Sequence, residues 1–168
     1  SEQVSIEEFI QQAKQALPLA TDDVQSSFAL ALEYAFDVVD NLLNRLIAQQ
    51  RYSDALALLA NLEELASAIR ENVIRQNAEL VGGIWNRIAF RYHKIAETSQ
   101  RLEVFAKAVS SVEAAFAISP DEPHIRENLV VMNGTLGQNF GMRQRFDQAI
   151  PYLKRALEVN PQSDEAWR

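Results

Sequence analysis

Apolar residues recur at steps of three and four along most of the chain, which is the spacing that places them on one face of an α-helix. Thr21 precedes the longest such stripe as a helix N-cap, and Asp22 and Asp23 lie in its first turn, where acids complement the helix dipole. The pattern predicts a helix of about 28 residues. Its apolar stripe consists of Val24, Phe28, Ala31, Leu32, Ala35, Val39, Leu42, Leu43 and Leu46.

Shorter stripes flank this long helix. The segment Ser5-Ile6-Glu7-Glu8 has the composition of a capping box, which predicts a short helix over residues 6–17 that Pro18 ends. On the other side, Ser53 is the predicted N-cap of a helix that continues to residue 69.

The middle of the chain lacks strong helix breakers. Residues 70–99 contain no proline, and the only interruption of the apolar pattern is Gly82-Gly83. We therefore predict one long helix over this range, kinked at the two glycines, with a bent or broken helix as the alternative. The next helix is predicted over residues 104–119.

Prolines mark the boundaries of the last two helices. The segment from Ser119 to Pro123 is the clearest boundary in the chain, and Pro123 suits the first turn of the helix that follows. That helix is predicted to end near Gly141. The last complete helix is predicted over 146–159, where Asn160-Pro161 closes it.

Taken in pairs, these helices predict an all-α fold made of antiparallel helix hairpins. We expect one domain over residues 1–168. Its parts are an N-terminal capping helix over 6–20, three hairpins over 21–70, 71–120 and 121–162, and the start of a further repeat over 163–168. A chain that repeats one helical hairpin is usually an α-solenoid.

The hairpins share a sequence register. Pro161 lies 41 residues after Pro120, and at that offset Ala156 corresponds to Ala115 and Phe146 to Phe105. An offset of 94 residues, from Ala55 to Ala149, brings the first hairpin into the same register. Three hairpins therefore follow a common pattern.

The last hairpin resembles the tetratricopeptide repeat family. Its matching residues are Leu136, Gly137, Phe140, Ala149, Leu153, Ala156 and Pro161, with Trp167 at the place of the next repeat's aromatic residue. The match is weaker over 88–123 and weakest over 36–69. The 41-residue offset exceeds the 34-residue repeat of the family, so we infer first helices that are two turns longer. The resemblance implies a right-handed superhelix.

The resemblance also implies a binding site. In this family the first helices of the hairpins line a concave groove, which holds an extended peptide or a partner helix. The corresponding residues of this chain are Asp37, Asn41, Asn44, Phe90, His93, Lys94, Glu97, Asn128 and Gln138. Asn and Gln suit a peptide backbone because each amide can both donate and accept. The alternative is a polar face that is merely solvated.

Charge and composition narrow the range of functions. The net charge of −7 argues against nucleic acid and anionic membranes as partners, and no apolar run is long enough to cross a bilayer. The chain has no cysteine, and its two histidines have no metal-ligand neighbour at helical spacing. We found no catalytic or phosphate-binding motif, so we predict no cofactor, no metal and no enzymatic activity.

These observations favour a protein–protein interaction module, an adaptor or scaffold that binds a protein or peptide in the cytoplasm. The alternative is a non-catalytic docking region of a larger enzyme, such as a glycosyltransferase, sulfotransferase or methyltransferase, because the sequence ends inside a new repeat. A third hypothesis is self-association through the C-terminal repeat end around Ala156, Leu157 and Trp167.

Overall fold

The structure, a computed structural model, describes residues 2–160, and the side chains of residues 6–160. In this part of the chain the regular structure is entirely helical, which confirms the all-α prediction. The α-helices are α1 (Glu2–Ala16), α2 (Asp22–Ala48), α3 (Tyr52–Ser67), α4 (Glu71–Gln76), α5 (Ala78–Ser99), α6 (Leu102–Ile118), α7 (Pro123–Met142) and α8 (Phe146–Val159). A single 3-10 turn, Leu17–Leu19, joins α1 to α2. The predicted repeat start at 163–168, including Trp167, lies outside the described residues, as does Pro161.

Two helix starts follow from side-chain caps. The Thr21 side chain accepts a hydrogen bond from the Val24 amide at 3.3 Å, as predicted, and α2 begins at the next residue. The Glu122 side chain accepts from the Ile125 amide at 2.9 Å, and Pro123 is the first residue of α7. Each cap satisfies one of the backbone donors that a helix leaves unpaired at its start.

Two predicted caps are wrong. The first helix already begins at Glu2, so Ser5 lies inside it. The helix predicted to follow Ser53, α3, begins at Tyr52. Its N-cap residue is therefore Arg51 and not Ser53. Arg51 makes no side-chain cap, but it forms an ion pair with Asp54 in the first turn at 2.8 Å.

The prediction of one long helix over 70–99, kinked at the glycines, is wrong, and its alternative, a broken helix, is confirmed. The chain breaks at Asn77, which separates α4 from α5, and the helix continues unbroken through Gly82 and Gly83. The Asn77 side chain donates to the Val73 carbonyl at 2.8 Å and to the Ser26 hydroxyl at 3.1 Å. A short amide side chain that donates to a backbone carbonyl competes with the backbone hydrogen bonds that continue a helix. At Asn77 this competition favours the end of α4.

Hydrogen bonds between helix ends show that consecutive long helices pair antiparallel. At the start of α2, Asp22 forms an ion pair at 2.7 Å with Arg70, which follows α3. The Ser119 hydroxyl, directly after α6, donates to the Ala78 carbonyl at the start of α5 at 2.8 Å. Arg126 in the first turn of α7 donates to the Val159 carbonyl at the end of α8 at 3.5 Å. The pairs are therefore α2–α3, α5–α6 and α7–α8.

The turns inside the three pairs share one conformation. Gln50, Gln100 and Gln144 have positive φ angles of 57°, 57° and 59°. An arginine follows each of them, and the second helix of the pair begins at the next residue. The left-handed residue returns backbone donors to the last carbonyls of the first helix, for example Arg51 to Leu46 at 2.8 Å and Arg145 to Phe140 at 2.9 Å. The Gln-Arg dipeptide is a repeat signal that the residue offsets did not use; Gln144 lies 94 residues after Gln50 but 44, not 41, after Gln100.

Small residues allow close packing within the pairs. Gly137 of α7 is buried, and a Cβ added there would lie 2.7 Å from the Leu153 side chain of α8. Gly82 of α5 is buried as well, and its added Cβ would lie 2.5 Å from the Ser119 hydroxyl. Gly82 is therefore a contact point between α5 and the end of α6 and does not interrupt its helix.

A continuous apolar core runs through the pairs. Its largest fully buried members are Phe36 and Leu43 of α2, Leu59 of α3, and Ile88 and Tyr92 of α5. The Tyr92 hydroxyl donates to Glu63 of α3 at 2.8 Å, and burial raises the pKa of this tyrosine far above its usual range. At the N-terminal side, α1 packs against α2 and α3 and covers that end of the core.

Candidate functional site

The first helices of the three pairs lie side by side and parallel. Arg87 of α5 reaches two acids of α2, with distances of 3.2 Å to both Asp37 and Asp40. One turn later, Arg91 lies 2.7 Å from Asp40 and donates to Asn44 at 3.1 Å. Because later residues of α5 meet later residues of α2, the two helices run in the same direction.

A pair of amides makes the corresponding contact between α5 and α7. Asn128 donates to the Asn86 side-chain oxygen at 2.9 Å. Next to this pair, residues of α2, α5 and α7 surround a shallow surface depression of about 360 Å³. It is lined by Asp40, Asn86, Arg87, Phe90, Arg91, His124 and Asn128.

We refer to the shared surface of α2, α5 and α7 as the first-helix face. Phe90 lies at its centre and is 40% exposed. Two cations approach its ring, the Arg91 guanidinium at 5.4 Å from the centroid and the Lys94 ammonium at 5.5 Å. An exposed aromatic ring beside a cation can contact apolar groups of a ligand while the cation attracts carboxylates or carbonyl groups. Lys94 is exposed and can take this role, whereas Arg91 is already paired with Asp40.

Several predicted groove residues hold the helices together. Asp37, Asn44 and Asn128 all form hydrogen bonds to side chains of the neighbouring first helix. Asn41 is exposed on α2, and Gln138 is half-buried on α7. Thus these five predicted groove residues lie on α2 and α7, and Asp37, Asn44 and Asn128 are engaged in contacts between the first helices.

His93 of α5 faces α6. Its ring meets the edge of the Phe105 ring of α6 at 5.8 Å between centroids, and only 12% of its side chain is exposed. Its Nδ1 atom is buried and has no hydrogen-bond partner within residues 2–160, while Nε2 lies 3.5 Å from Glu97. Burial lowers the pKa of His93, and Glu97 partly opposes this effect. Lys94 and Glu97 remain exposed.

The sequence analysis missed two apolar members of this surface. These are Leu30 and Tyr34 of α2, which are 45% and 67% exposed and add to the exposed Val131 of α7 (37%). Leu30 and Tyr34 are one helical turn apart, and Asn41 follows Tyr34 by two turns, so the three share a side of α2. The available signal was that Leu30 and Tyr34 are large apolar residues outside the buried stripe.

Three arginines on or next to α5 have structural roles. Arg87 and Arg91 bind acids of α2, and Arg101, just after α5, lies 5.6 Å from the Tyr52 ring at the start of α3. Across the described residues, no group of three or more His, Asp or Glu side chains could hold a metal ion. Nor does any helix there have the length and apolar character needed to cross a membrane.

Comparison with known proteins adds no relative. No protein-family model matches the chain, and a search of curated proteins finds no match. The functional argument therefore depends on the residues and contacts described above.

Proposed function

We propose that the chain is an α-solenoid similar to tetratricopeptide repeats, and that it acts as a protein–protein interaction module in the cytoplasm. The first-helix face binds a peptide or a partner helix. The observation that carries this proposal is the combination of exposed apolar side chains and amides on three parallel helices, around the cation-flanked ring of Phe90.

The contacts between first helices support this role. The ion pairs of Arg87 and Arg91 with α2, together with the Asn86–Asn128 hydrogen bond, fix the spacing of the three helices. A binding surface fixed before the ligand arrives loses less conformational freedom on binding. The exposed Phe90 and Val131 can then act as anchors, because binding energy usually concentrates in a few large side chains.

A display library of random peptides tests this proposal. We expect peptides enriched on the wild-type chain to bind the Phe90→Ala variant at least about tenfold more weakly, because an aromatic anchor commonly contributes more than 1.4 kcal/mol. Titration of the enriched peptides by fluorescence anisotropy measures the difference.

Phe146→Ala is the matched control. Phe146 is also an exposed aromatic residue, 61% accessible, but it belongs to α8 and lies outside the first-helix face. The selected peptides should bind this variant as they bind the wild type. If they lose affinity for Phe146→Ala and keep it for Phe90→Ala, the binding surface has been assigned to the wrong helices.

A further inference from the structure

A second surface, separate from the centre of the first-helix face, lies between α1 and α2. The two helices leave an apolar groove of about 490 Å³ between them, which we call the N-terminal groove. That volume is about three times a cavity that accommodates one benzene molecule. The groove is lined by Ile6, Phe9, Ile10, Ala31, Tyr34, Ala35, Val38, Val39 and Leu62.

The groove is open to solvent along α2. Tyr34 is 67% exposed and Val38 is 44% exposed. The ring of Phe9 stacks on Phe28 at 5.9 Å, which ties α1 to α2 beside the groove. Covering this exposed apolar lining with another apolar surface would remove it from water, which is favourable.

The negative charge of the protein is concentrated around this end of the chain. Residues 1–69 contain eleven Asp and Glu against three Lys and Arg, a net charge of −8. Four later cations, Arg70, Arg87, Arg91 and Lys107, pair with acids of this segment and leave it with a net charge of −4. The one cation of α1, Lys14, pairs with Glu64 at 2.8 Å. The exposed Glu8 of α1 and Asp23 of α2 form no ion pair with any described cation. The segment that forms the apolar groove therefore keeps a net negative charge.

We propose that the N-terminal groove docks a basic amphipathic helix of a partner protein. The chemistry of the lining selects a helix over an extended peptide. Apart from the Tyr34 hydroxyl, the lining side chains have no donor or acceptor, so an extended backbone would lose its hydrogen bonds to water without replacement. A helix satisfies its own backbone and presents one apolar stripe.

The dimensions fit such a stripe. Along α2 the lining extends from Ala31 to Val39, which at 1.5 Å per residue is about 12 Å. Apolar anchors at positions i, i+4 and i+7 of a docked helix span about 10.5 Å. Lysine and arginine on the other faces of that helix would meet the acids of α1 and α2, and this complementarity selects a basic partner.

Synthetic helices test the proposal. The probe is a peptide of about 16 residues with leucine at i, i+4, i+7 and i+11 and lysine on its polar face, long enough to populate a helix. The first control replaces every lysine with glutamate and keeps the leucines. We expect the basic peptide to bind the full chain at least about tenfold more tightly than the acidic one, and to weaken as salt rises from about 50 to about 300 mM.

Variants of the chain locate the site. Val38→Arg places a cation in the groove at an exposed position, so it should weaken the basic peptide at least about tenfold without unfolding the chain. Val131→Arg introduces the same residue at an exposed position of α7, and Phe90→Ala removes the aromatic centre of the first-helix face. Both should leave basic-peptide binding within about twofold of wild type.

Three kinds of result would overturn the proposal. One is a lack of discrimination, either between the basic and acidic peptides or between wild type and Val38→Arg. Another is that a small apolar dye binds with a stoichiometry of one and Val38→Arg abolishes its binding, while the basic peptide does not bind at all. The groove would then be a small-molecule pocket. The third is a dimer in sedimentation that Val38→Arg dissociates, which would make a second copy the occupant. Circular dichroism of each variant confirms that the helices are intact.

Discussion

The third hairpin and the junction between the first two hairpins are held together by different physical means. Inside the third hairpin, α7 and α8 approach closely because Gly137 leaves room for Leu153 and the Ala149 backbone. Between the first two hairpins, α2 and α5 are joined at the surface by arginine–carboxylate contacts. The contact at Gly137 depends on the shapes of the two helices. The surface contact between α2 and α5 depends on charge and adds to the apolar core that the two helices share. The two should therefore respond to different perturbations.

The largest expected effect comes from filling the space at Gly137. Gly137→Leu should lower the free energy of unfolding by roughly 2–3 kcal/mol, because its side chain collides with Leu153 and with the Ala149 carbonyl, which the added Cβ would approach to 3.3 Å. Urea unfolding followed by circular dichroism measures this change.

Gly141→Ala provides the control on the same helix. A Cβ at Gly141 would meet nothing within 4 Å, so this change should be neutral or stabilise the protein by up to about 1 kcal/mol through helix propensity. A similar loss of stability for both substitutions would mean that the close approach at Gly137 is not what limits residue size there.

A smaller effect is expected from removing the charges between hairpins. The double variant Arg87→Met/Arg91→Met leaves Asp40, whose side chain is only 18% exposed, without a cation, and should lower the free energy of unfolding by about 1–2 kcal/mol. The same urea titration measures it. Adding Asp40→Asn to the double variant should restore part of the loss.

Arg75→Met is the matched control for this pair. Arg75 also contacts an acid, Glu71, at 3.0 Å, but both side chains are more than two-thirds exposed. Removing such a surface pair should change stability by no more than about 0.5 kcal/mol. An equal loss for Arg75→Met and for the double variant would remove the distinction between the junction and an ordinary surface pair.

The smallest expected effect is on pH dependence, and it concerns the second hairpin. Burial against Phe105 lowers the pKa of His93, so the folded state favours the neutral ring. Stability from this group is therefore fully present above about pH 6.5 and is lost as the pH falls through the lower folded value. Melting temperatures between about pH 7.5 and pH 5 should fall less steeply for His93→Gln than for wild type.

His124→Gln separates this effect from general acid destabilisation. The His124 side chain is 81% exposed, so its replacement should leave the slope of the wild type unchanged. If His93→Gln shows the wild-type slope as well, the titration of His93 does not contribute to stability.

Helix content could be predicted from the sequence where one strong signal marked each boundary. The cap at Thr21 and the helix bounds Phe146–Val159 are confirmed. Both could be predicted because a capping side chain and a proline are signals that act on nearby residues. The break at Asn77 was missed because its hydrogen bond to Ser26 depends on a residue 51 positions away. Apolar periodicity also gave no indication that Gln50, Gln100 and Gln144 would take the left-handed conformation.

The candidate site could be predicted only in part. Helical spacing placed Phe90 and Lys94 on one exposed side of α5, as the structure shows. It could not locate the edge of that side, so His93, three residues from Phe90, was assigned to the same surface although it packs against α6. Nor could it foresee that Asp37 and Asn44 would bind arginines of α5, because the relative positions of two helices are set by tertiary packing.

The left-handed glutamine in each turn has a consequence for how the protein forms during synthesis. Each turn joins two helices that are adjacent in the chain, so the two helices of a pair meet within one continuous segment of sequence. We expect the first pair to close as soon as its second helix has left the ribosome, before the last pair has been translated. Partly made chains would then expose only the surface that awaits the next pair, and little unpaired backbone.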